Sequence, residues 1–206
     1  GVPQNALNLI IGDGRVGEML VQHKDVAGVA FTGSTGAAWS INRTLASKDG
    51  PIVPLIAETG GQNVIIADSS ALTEQVVDDV ILSSFGTAGQ RCSACRVLMV
   101  QEEVADKTIK MLQGAMAELK IGNPQFHSTD IGPLIDEEAL ANLQRHKTAL
   151  EGFGKFVAEV PLSDELRKKG HYFAPIAYEI HSLTDLKQEV FGPALHIIRY
   201  RANELP

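Results

Sequence analysis

The chain has 206 residues, of which 44% are hydrophobic and 21% charged, an ordinary composition for a globular protein. The formal net charge of −7 argues against a nucleic-acid partner, and no apolar run reaches the roughly 18 residues that a membrane span needs. Two cysteines make no disulfide framework and no signal peptide is visible, so we expect a cytoplasmic protein.

An apolar run at residues 7–11 predicts a first, buried strand. It leads into the sequence GDGRVG at residues 12–17, which matches the dinucleotide-binding pattern G-x-G-x-x-G and is followed by a helix to about His23. That pattern normally needs an acidic residue at a strand end about 20 residues later, and none stands there. We therefore interpret the glycine turn as structural.

Two further strand–helix units predict a parallel sheet with right-handed crossovers. A strand over 26–31 precedes Ser34, which can cap a helix ending near residue 47, where free N–H groups attract anions. A strand over 52–57 then leads to Glu58. A carboxylate at the end of a buried strand tends to have a raised pKa, which suits a general base. Alternatively, Glu58 only accepts hydrogen bonds from the glycines that follow it.

A further strand is expected over 63–67, after which the Asp-Ser-Ser sequence at 68–70 caps a helix over 72–84. Next comes the sequence GTAGQRCSAC at residues 86–95, followed by a strand over 97–100. Cys92 is sterically open in this small-residue turn, and the neighbouring Arg91 favours its thiolate. Cys92 is therefore a candidate nucleophile, although both Cys92 and Cys95 can instead be small buried residues.

The remaining residues continue the α/β pattern. A helix over 104–119 is amphipathic, and a second helix spans 136–150. A short strand and a charged loop lie between 152 and 170, and Pro175 places a strand over 172–180 near an edge or bulge. A last strand covers 194–200. The six histidines lack metal-ligand spacing, so no metal site is predicted, and His196 is expected to be structural.

Four motifs occur in order along the chain: FTGS at 31–34, ETGG at 58–61, GQRC at 89–92 and EVFGP at 189–193. Together, with the cysteine 34 positions after the glutamate, they resemble the aldehyde dehydrogenase superfamily. Further detail, such as TDIGP at 129–133, resembles the pyrroline-5-carboxylate dehydrogenase module of bifunctional proline utilization A proteins. The resemblance implies an α/β fold: residues 1–57 end a Rossmann-type NAD-binding domain, and residues 58–206 form most of a catalytic domain.

By this resemblance the reaction is NAD-dependent oxidation of glutamate semialdehyde, the open form of pyrroline-5-carboxylate, to glutamate in proline catabolism. Cys92 would be the nucleophile, and Glu58 would activate the water that hydrolyses the thioester. Ser93, with Arg91 beside it, would contact the substrate carboxylate. The alternatives are a general aldehyde dehydrogenase, a thiol redox domain using Cys92 and Cys95 as a C-x-x-C pair, and an inactive scaffold.

The resemblance also assigns cofactor residues and partners. Gly33 and Ser34 would face the NAD pyrophosphate, Glu189 would bind the nicotinamide ribose, and Phe191 would pack beside it. FAD would belong to a proline dehydrogenase domain elsewhere in a longer, homo-oligomeric parent protein. Because the chain lacks an initial Met and the first βαβ units of such modules, we expect an excised piece with little activity of its own.

Overall fold

The computed structural model describes residues 1–204. It divides the chain into two compact units, Gly1–Gly60 and a second that begins at Gly61. The predicted domain boundary between residues 57 and 58 falls three residues earlier than this division. The reason is that a strand, Leu55–Thr59, runs through the predicted boundary and carries Glu58 with the first unit.

The first unit contains two helices and two strands: α1 (Gly14–Gln22), β1 (Val29–Gly33), α2 (Thr35–Ala46) and β2 (Leu55–Thr59). The strands pair in parallel, with Thr32 opposite Glu58. The strand predicted over 7–11 is wrong: those residues are exposed and not in a strand. A strand needs a neighbour to take its hydrogen bonds, and within residues 1–204 the sheet of this unit consists of β1 and β2.

The glycine turn before α1 has a structural role, as interpreted from the sequence. Asp13 is the N-cap of α1, and its Oδ1 accepts a hydrogen bond from the backbone N–H of Arg15 at 3.0 Å. A Cβ added at Gly12 would lie 2.5 Å from Val16, so the turn closes only around a glycine. Both glycine and cap thus serve the start of the helix.

The second unit is an α/β layer structure. Its helices and strands are β3 (Val64–Ala67), α3 (Thr73–Phe85), β4 (Val97–Gln101), α4 (Glu102–Ala117), α5 (Glu137–Phe153), β5 (Lys155–Glu159), α6 (Asp164–Lys169), β6 (Ile176–Glu179) and β7 (Ala194–Tyr200). The sheet order is β3-β4-β7-β6-β5, and all neighbours are parallel except β5 and β6. Short 3₁₀ turns occupy Gly86–Gly89, Leu183–Asp185 and Ala202–Glu204.

The core of the second unit lies around β4 and β7, the second and third strands of the sheet. Parallel strands covered on both faces read as continuous apolar runs, and β7 is buried along nearly its whole length. Helix α4 packs a stripe of Ile109, Leu112 and Met116 into this core, as its sequence period predicts. The core therefore supports the amino end of β4, which directly follows the turn that carries Cys92.

Three local predictions are wrong in whole or in part. Asp68 does not cap α3: the N-cap is Leu72, while Asp68 accepts hydrogen bonds from Ser70 in a local turn. Pro175 precedes β6 rather than interrupting it, and β6 lies between β7 and the edge strand β5, but the predicted bulge has a counterpart in the register shift between Phe156 and Ala158 of β5. The charged loop contains a short helix, α6, capped by Ser163.

Within the described part of the chain, every helix is too short or too polar to cross a lipid bilayer.

Candidate active site

The turn that carries Cys92 is strained. Thr87 and Ala88 have φ of 58° and 52°, a left-handed conformation that costs a residue with a Cβ about 1 kcal/mol or more. Gly89 follows with φ of 61°, and a Cβ added there would lie 2.2 Å from the carbonyl oxygen of Gly192. Strain of this kind persists where the surrounding structure enforces it, which is typical of functional sites.

The cysteine turn is held by the residues that follow the double glycine. The side-chain amide of Asn63 donates to the carbonyl oxygens of Cys92 and of Ala94, the latter at 3.1 Å. Its neighbour Gln62 donates to the carbonyl oxygen of Gln188 at 2.9 Å. Adjacent side chains thus fix the backbone of Cys92 and of the loop before Glu189, a role that sequence reasoning missed.

Arg96 contacts both the cysteine turn and the Glu189–Phe191 motif, and sequence reasoning also missed it. Its side chain is 1% exposed, and its Nη1 donates to the carbonyl oxygen of Gly89 at 2.6 Å. Its Nη2 donates to the carbonyl oxygen of Arg91 at 3.0 Å and to Glu189 Oε1 at 3.2 Å. The guanidinium carbon lies 4.9 Å from the centre of the Phe191 ring. Arg96 therefore joins the cysteine motif to the Glu189–Phe191 motif.

A pair of glycines completes that junction. The backbone N–H of Gly192 donates to the carbonyl oxygen of Gly89 at 3.0 Å. Gly192 has φ of 143°, and a Cβ added there would lie 2.1 Å from Leu143 Cδ1 on α5. The two turns consequently approach each other more closely than any other residue type allows.

The two cysteines differ sharply in environment. Cys92 is exposed, whereas Cys95 is 2% exposed and its thiol donates to the carbonyl oxygen of Val97 at 3.3 Å. Burial raises the pKa of the Cys95 thiol, which disfavours its thiolate. A reactive cysteine must be accessible and able to form a thiolate, so Cys92 is the candidate nucleophile of the two. The C-x-x-C redox alternative is disfavoured, because it needs Cys95 to react as well.

The predicted substrate residues flank Cys92. Arg91 and Ser93 are both exposed, and both line a cavity of about 590 Å³ on the side of α3. Asp79 and Leu82 of that helix also line the cavity. An arginine and a hydroxyl that line one cavity are groups that can bind a carboxylate.

The other predicted site residues lie in the first unit, at the carboxyl ends of its two strands. Gly33 ends β1, and Ser34 is the N-cap of α2, accepting from the backbone N–H of Ala37 at 3.2 Å. Glu58 stands near the end of β2, which is largely exposed. The expectation that Glu58 ends a buried strand is therefore wrong, because the two-stranded sheet leaves β2 largely open.

The buried His196 and the half-buried His146 form a pair next to the backbone of Arg96. His196 on β7 is 4% exposed and its Nδ1 lies 2.7 Å from the carbonyl oxygen of Arg96. Because a carbonyl only accepts, Nδ1 carries the proton, and Nε2 then accepts from His146 Nε2 at 2.8 Å. Burial lowers the pKa of His196 to about 4 and lowers that of His146. Residues 1–204 contain no cluster of three side chains suited to a metal.

Comparison with known proteins identifies the family. The aldehyde dehydrogenase family model matches residues 1–204. The chain belongs to the aldehyde dehydrogenase family. The predicted aldehyde-dehydrogenase-like α/β fold and the resemblance to the proline utilization A module are thereby confirmed.

Individual relatives of this aldehyde dehydrogenase chain are similar over its whole length. It is 50% identical to the bifunctional protein PutA of Escherichia coli, covering 100% of this chain and 16% of that protein. A 1-pyrroline-5-carboxylate dehydrogenase of Bacillus cytotoxicus is 32% identical over 95% of this chain and 38% of its own length. The chain therefore spans well under half of the length of these relatives.

Two solved structures of related proteins are also similar to this chain. Proline utilization A (PutA) from Bradyrhizobium japonicum matches with a TM-score of 0.92 and 52% identity, covering 100% of this chain and 21% of that one. A 1-pyrroline-5-carboxylate dehydrogenase from Thermus with bound NAD matches with a TM-score of 0.83 and 25% identity over 92% of this chain and 37% of that one.

Proposed function

We propose that the protein to which this chain belongs oxidises glutamate semialdehyde to glutamate with NAD, in proline catabolism. The observation that carries the proposal is the junction at Arg96, which ties the exposed Cys92 turn to Glu189 and Phe191. The names of the relatives, PutA and 1-pyrroline-5-carboxylate dehydrogenase, support the choice of substrate.

The residues present fit NAD. Both hydrogen bonds from Arg96 end on Glu189 Oε1, and Oε2 accepts none from residues 1–204, so it is available to a ribose hydroxyl. At the start of α2, backbone N–H groups and Gly33 form a turn suited to a phosphate, with Ser34 as the cap. We therefore assign Gly33, Ser34, Glu189 and Phe191 to the cofactor, and the first unit to the NAD-binding domain. NAD, when bound, accepts the hydride from the substrate carbon.

The chemistry assigned to the chain begins at Cys92. Its thiolate adds to the aldehyde carbonyl and forms a thiohemiacetal, and we assign the backbone N–H of Cys92 as one donor to its oxyanion. After hydride loss the substrate remains on Cys92 as a thioester. Glu58 takes a proton from water, the water adds to the thioester carbonyl, and the thiolate of Cys92 leaves as the acid is released.

Substrate choice is assigned to the cavity beside the nucleophile. Arg91 and Ser93 line it, and a substrate carboxylate there would place the aldehyde near Cys92. A general aldehyde dehydrogenase is the second candidate, because the family model alone does not distinguish substrates. An aldehyde without a carboxylate, such as acetaldehyde, separates the two.

The rest of the protein is also proposed by similarity. Its PutA relatives are bifunctional and much longer than this chain, which supports a parent protein with a proline dehydrogenase domain that binds FAD. We expect that parent to be a homo-oligomer and the 206-residue chain alone to have little activity. In the parent, residues from Gly61 onward would belong to the catalytic domain.

The test uses the full-length product of the gene that encodes this chain. NADH formation is followed with pyrroline-5-carboxylate for wild type, Cys92→Ala and the matched control Cys95→Ala. We expect activity in wild type and Cys95→Ala and none in Cys92→Ala. Activity that survives Cys92→Ala refutes the mechanism, loss in both variants favours the C-x-x-C alternative, and an inactive wild type refutes the proposed function.

A further inference from the structure

Arg96 is an unusual residue for the core of this unit. It is among the largest fully buried side chains, at 1% exposure, and it stands between Cys95 and Val97 at the start of a buried strand. Burying a charge is costly, and a buried ion pair often stabilises a fold no better than apolar residues of the same size. Stability alone is therefore a weak reason for an arginine here.

The contacts of Arg96 converge on the two functional turns. Three carbonyl oxygens accept from its guanidinium: those of Gly89 at 2.6 Å, Arg91 at 3.0 Å and Gly192 at 3.4 Å. Two of these belong to the turn that presents Cys92, and the third belongs to the turn after Phe191. A planar guanidinium can satisfy several acceptors in fixed directions at once, which a lysine ammonium cannot do in the same way.

The contact with Glu189 is selective for one oxygen. Nε at 3.3 Å and Nη2 at 3.2 Å both donate to Oε1. The Glu189 side chain is 11% exposed, and the one buried side-chain polar atom without a partner among residues 1–204 is Ser84 Oγ. Glu189 Oε2 is therefore accessible and makes no hydrogen bond to the guanidinium. Arg96 fixes which carboxylate oxygen a ligand meets.

The backbone of Arg96 is itself fixed by hydrogen bonds. Its carbonyl oxygen accepts from the backbone N–H of His196 at 2.9 Å and from His196 Nδ1 at 2.7 Å. Its own N–H donates to the carbonyl oxygen of Asn63 at 2.9 Å. Hydrogen bonds consequently fix the backbone of Arg96 to β7 and to Asn63, the second residue after the glycine motif.

We propose that Arg96 is a positioning residue: it orients Glu189 so that Oε2 receives the nicotinamide ribose, and it holds the Cys92 turn in register with that cofactor. This inference rests on the proposed function. It adds that cofactor affinity and nucleophile placement depend on one buried guanidinium that touches neither the substrate nor the reacting atoms.

The kinetic test uses Arg96→Lys in the full-length gene product, with Arg199→Lys as the matched control. Arg199 is also ion-paired, to Glu179 and Asp106, but its partners lie away from the cysteine turn. Losing charge-assisted hydrogen bonds weakens a binding constant by about 10-fold to 100-fold. We therefore expect KM for NAD to rise about 10-fold or more in Arg96→Lys. We expect kcat to fall as well, because the same guanidinium holds the turn that carries Cys92, whereas Arg199→Lys matches wild type.

A double variant distinguishes positioning from a general loss of structure. If Arg96 acts through Glu189, the effect of Arg96→Lys on KM for NAD is much smaller in a Glu189→Gln background than in wild type. Equal effects in both backgrounds, or an unchanged KM for NAD in Arg96→Lys, overturn the inference while the proposed function stands. An inactive wild type instead refutes the proposed function.

A second measurement needs no variant, in case Arg96→Lys does not fold. In a crystal structure of the full-length wild-type protein with NAD bound, we expect Glu189 Oε1 on the guanidinium and Oε2 within hydrogen-bond distance of a ribose hydroxyl. A Glu189 carboxylate that leaves Arg96 when NAD is bound, or that does not contact the ribose, overturns the inference.

Discussion

We expect the buried His196, with its half-buried neighbour His146, to make the stability of the second unit depend on pH. Burial lowers the pKa of His196 from 6.5 to about 4, so the folded state binds a proton less readily than the unfolded state. The stabilisation is therefore fully present above about pH 6.5 and is lost as the pH falls towards 4. A pKa difference of about 2.5 corresponds to about 3 kcal/mol of unfolding free energy. The pKa of His146 is lowered as well, which adds in the same direction.

The assay is urea unfolding of the chain followed by circular dichroism between pH 7 and pH 4. Fluorescence would report on the wrong unit, because the single tryptophan, Trp39, lies in the first one. The comparison variant is His196→Asn, whose amide can still donate to the carbonyl oxygen of Arg96 but does not titrate. His127→Asn, at an exposed position, is the matched control.

We expect wild type and His127→Asn to lose about 3 kcal/mol more than His196→Asn over this range. Carboxylates that titrate in acid contribute equally to all three proteins and cancel in the difference. Identical pH dependence in wild type and His196→Asn would refute the burial of an uncharged His196. So would a wild type that becomes more stable relative to the variant as the pH falls.

Three more outcomes are expected. Gly192→Ala places a Cβ 2.1 Å from Leu143 at a left-handed φ, so urea unfolding should show a loss of about 2 kcal/mol or more; an unchanged midpoint would contradict the close packing of the Gly192 turn against α5. Leu112→Ala, in the core stripe of α4, should lose about 2–5 kcal/mol in the same assay, and a loss below about 1 kcal/mol would contradict its burial. Iodoacetamide should label the exposed Cys92 well before the buried Cys95 in native protein, as read by mass spectrometry; equal labelling would contradict their different exposure.

Much of the fold is readable from the sequence where a local pattern and the core agree. The period of α4 places Ile109, Leu112 and Met116 on one stripe, and the structure buries all three. Ser34 caps α2 as predicted, since capping depends on residues three positions apart. The last strand matches its apolar run from Ala194 to Tyr200.

The wrong and missing predictions concern features that depend on contacts with residues far away in the sequence. The apolar run at 7–11 forms no strand, because a strand depends on a neighbour that its own sequence does not specify. Arg96 and Glu189 are 93 residues apart, so no local pattern indicates their contact. The one signal was a charged residue at the start of an apolar strand, where an unpaired charge would not be tolerated.

The central claim is that Cys92 carries the substrate as a thioester that Glu58 helps to hydrolyse. The most direct measurement is mass spectrometry of the full-length Glu58→Gln variant, quenched after mixing with NAD and pyrroline-5-carboxylate. Trypsin releases residues 92–96 as one peptide, and its fragment spectrum distinguishes Cys92 from Cys95. We predict an acyl adduct on Cys92 that accumulates in Glu58→Gln and turns over in wild type. An adduct on Cys95, or none on either cysteine while NADH still forms, would contradict the account.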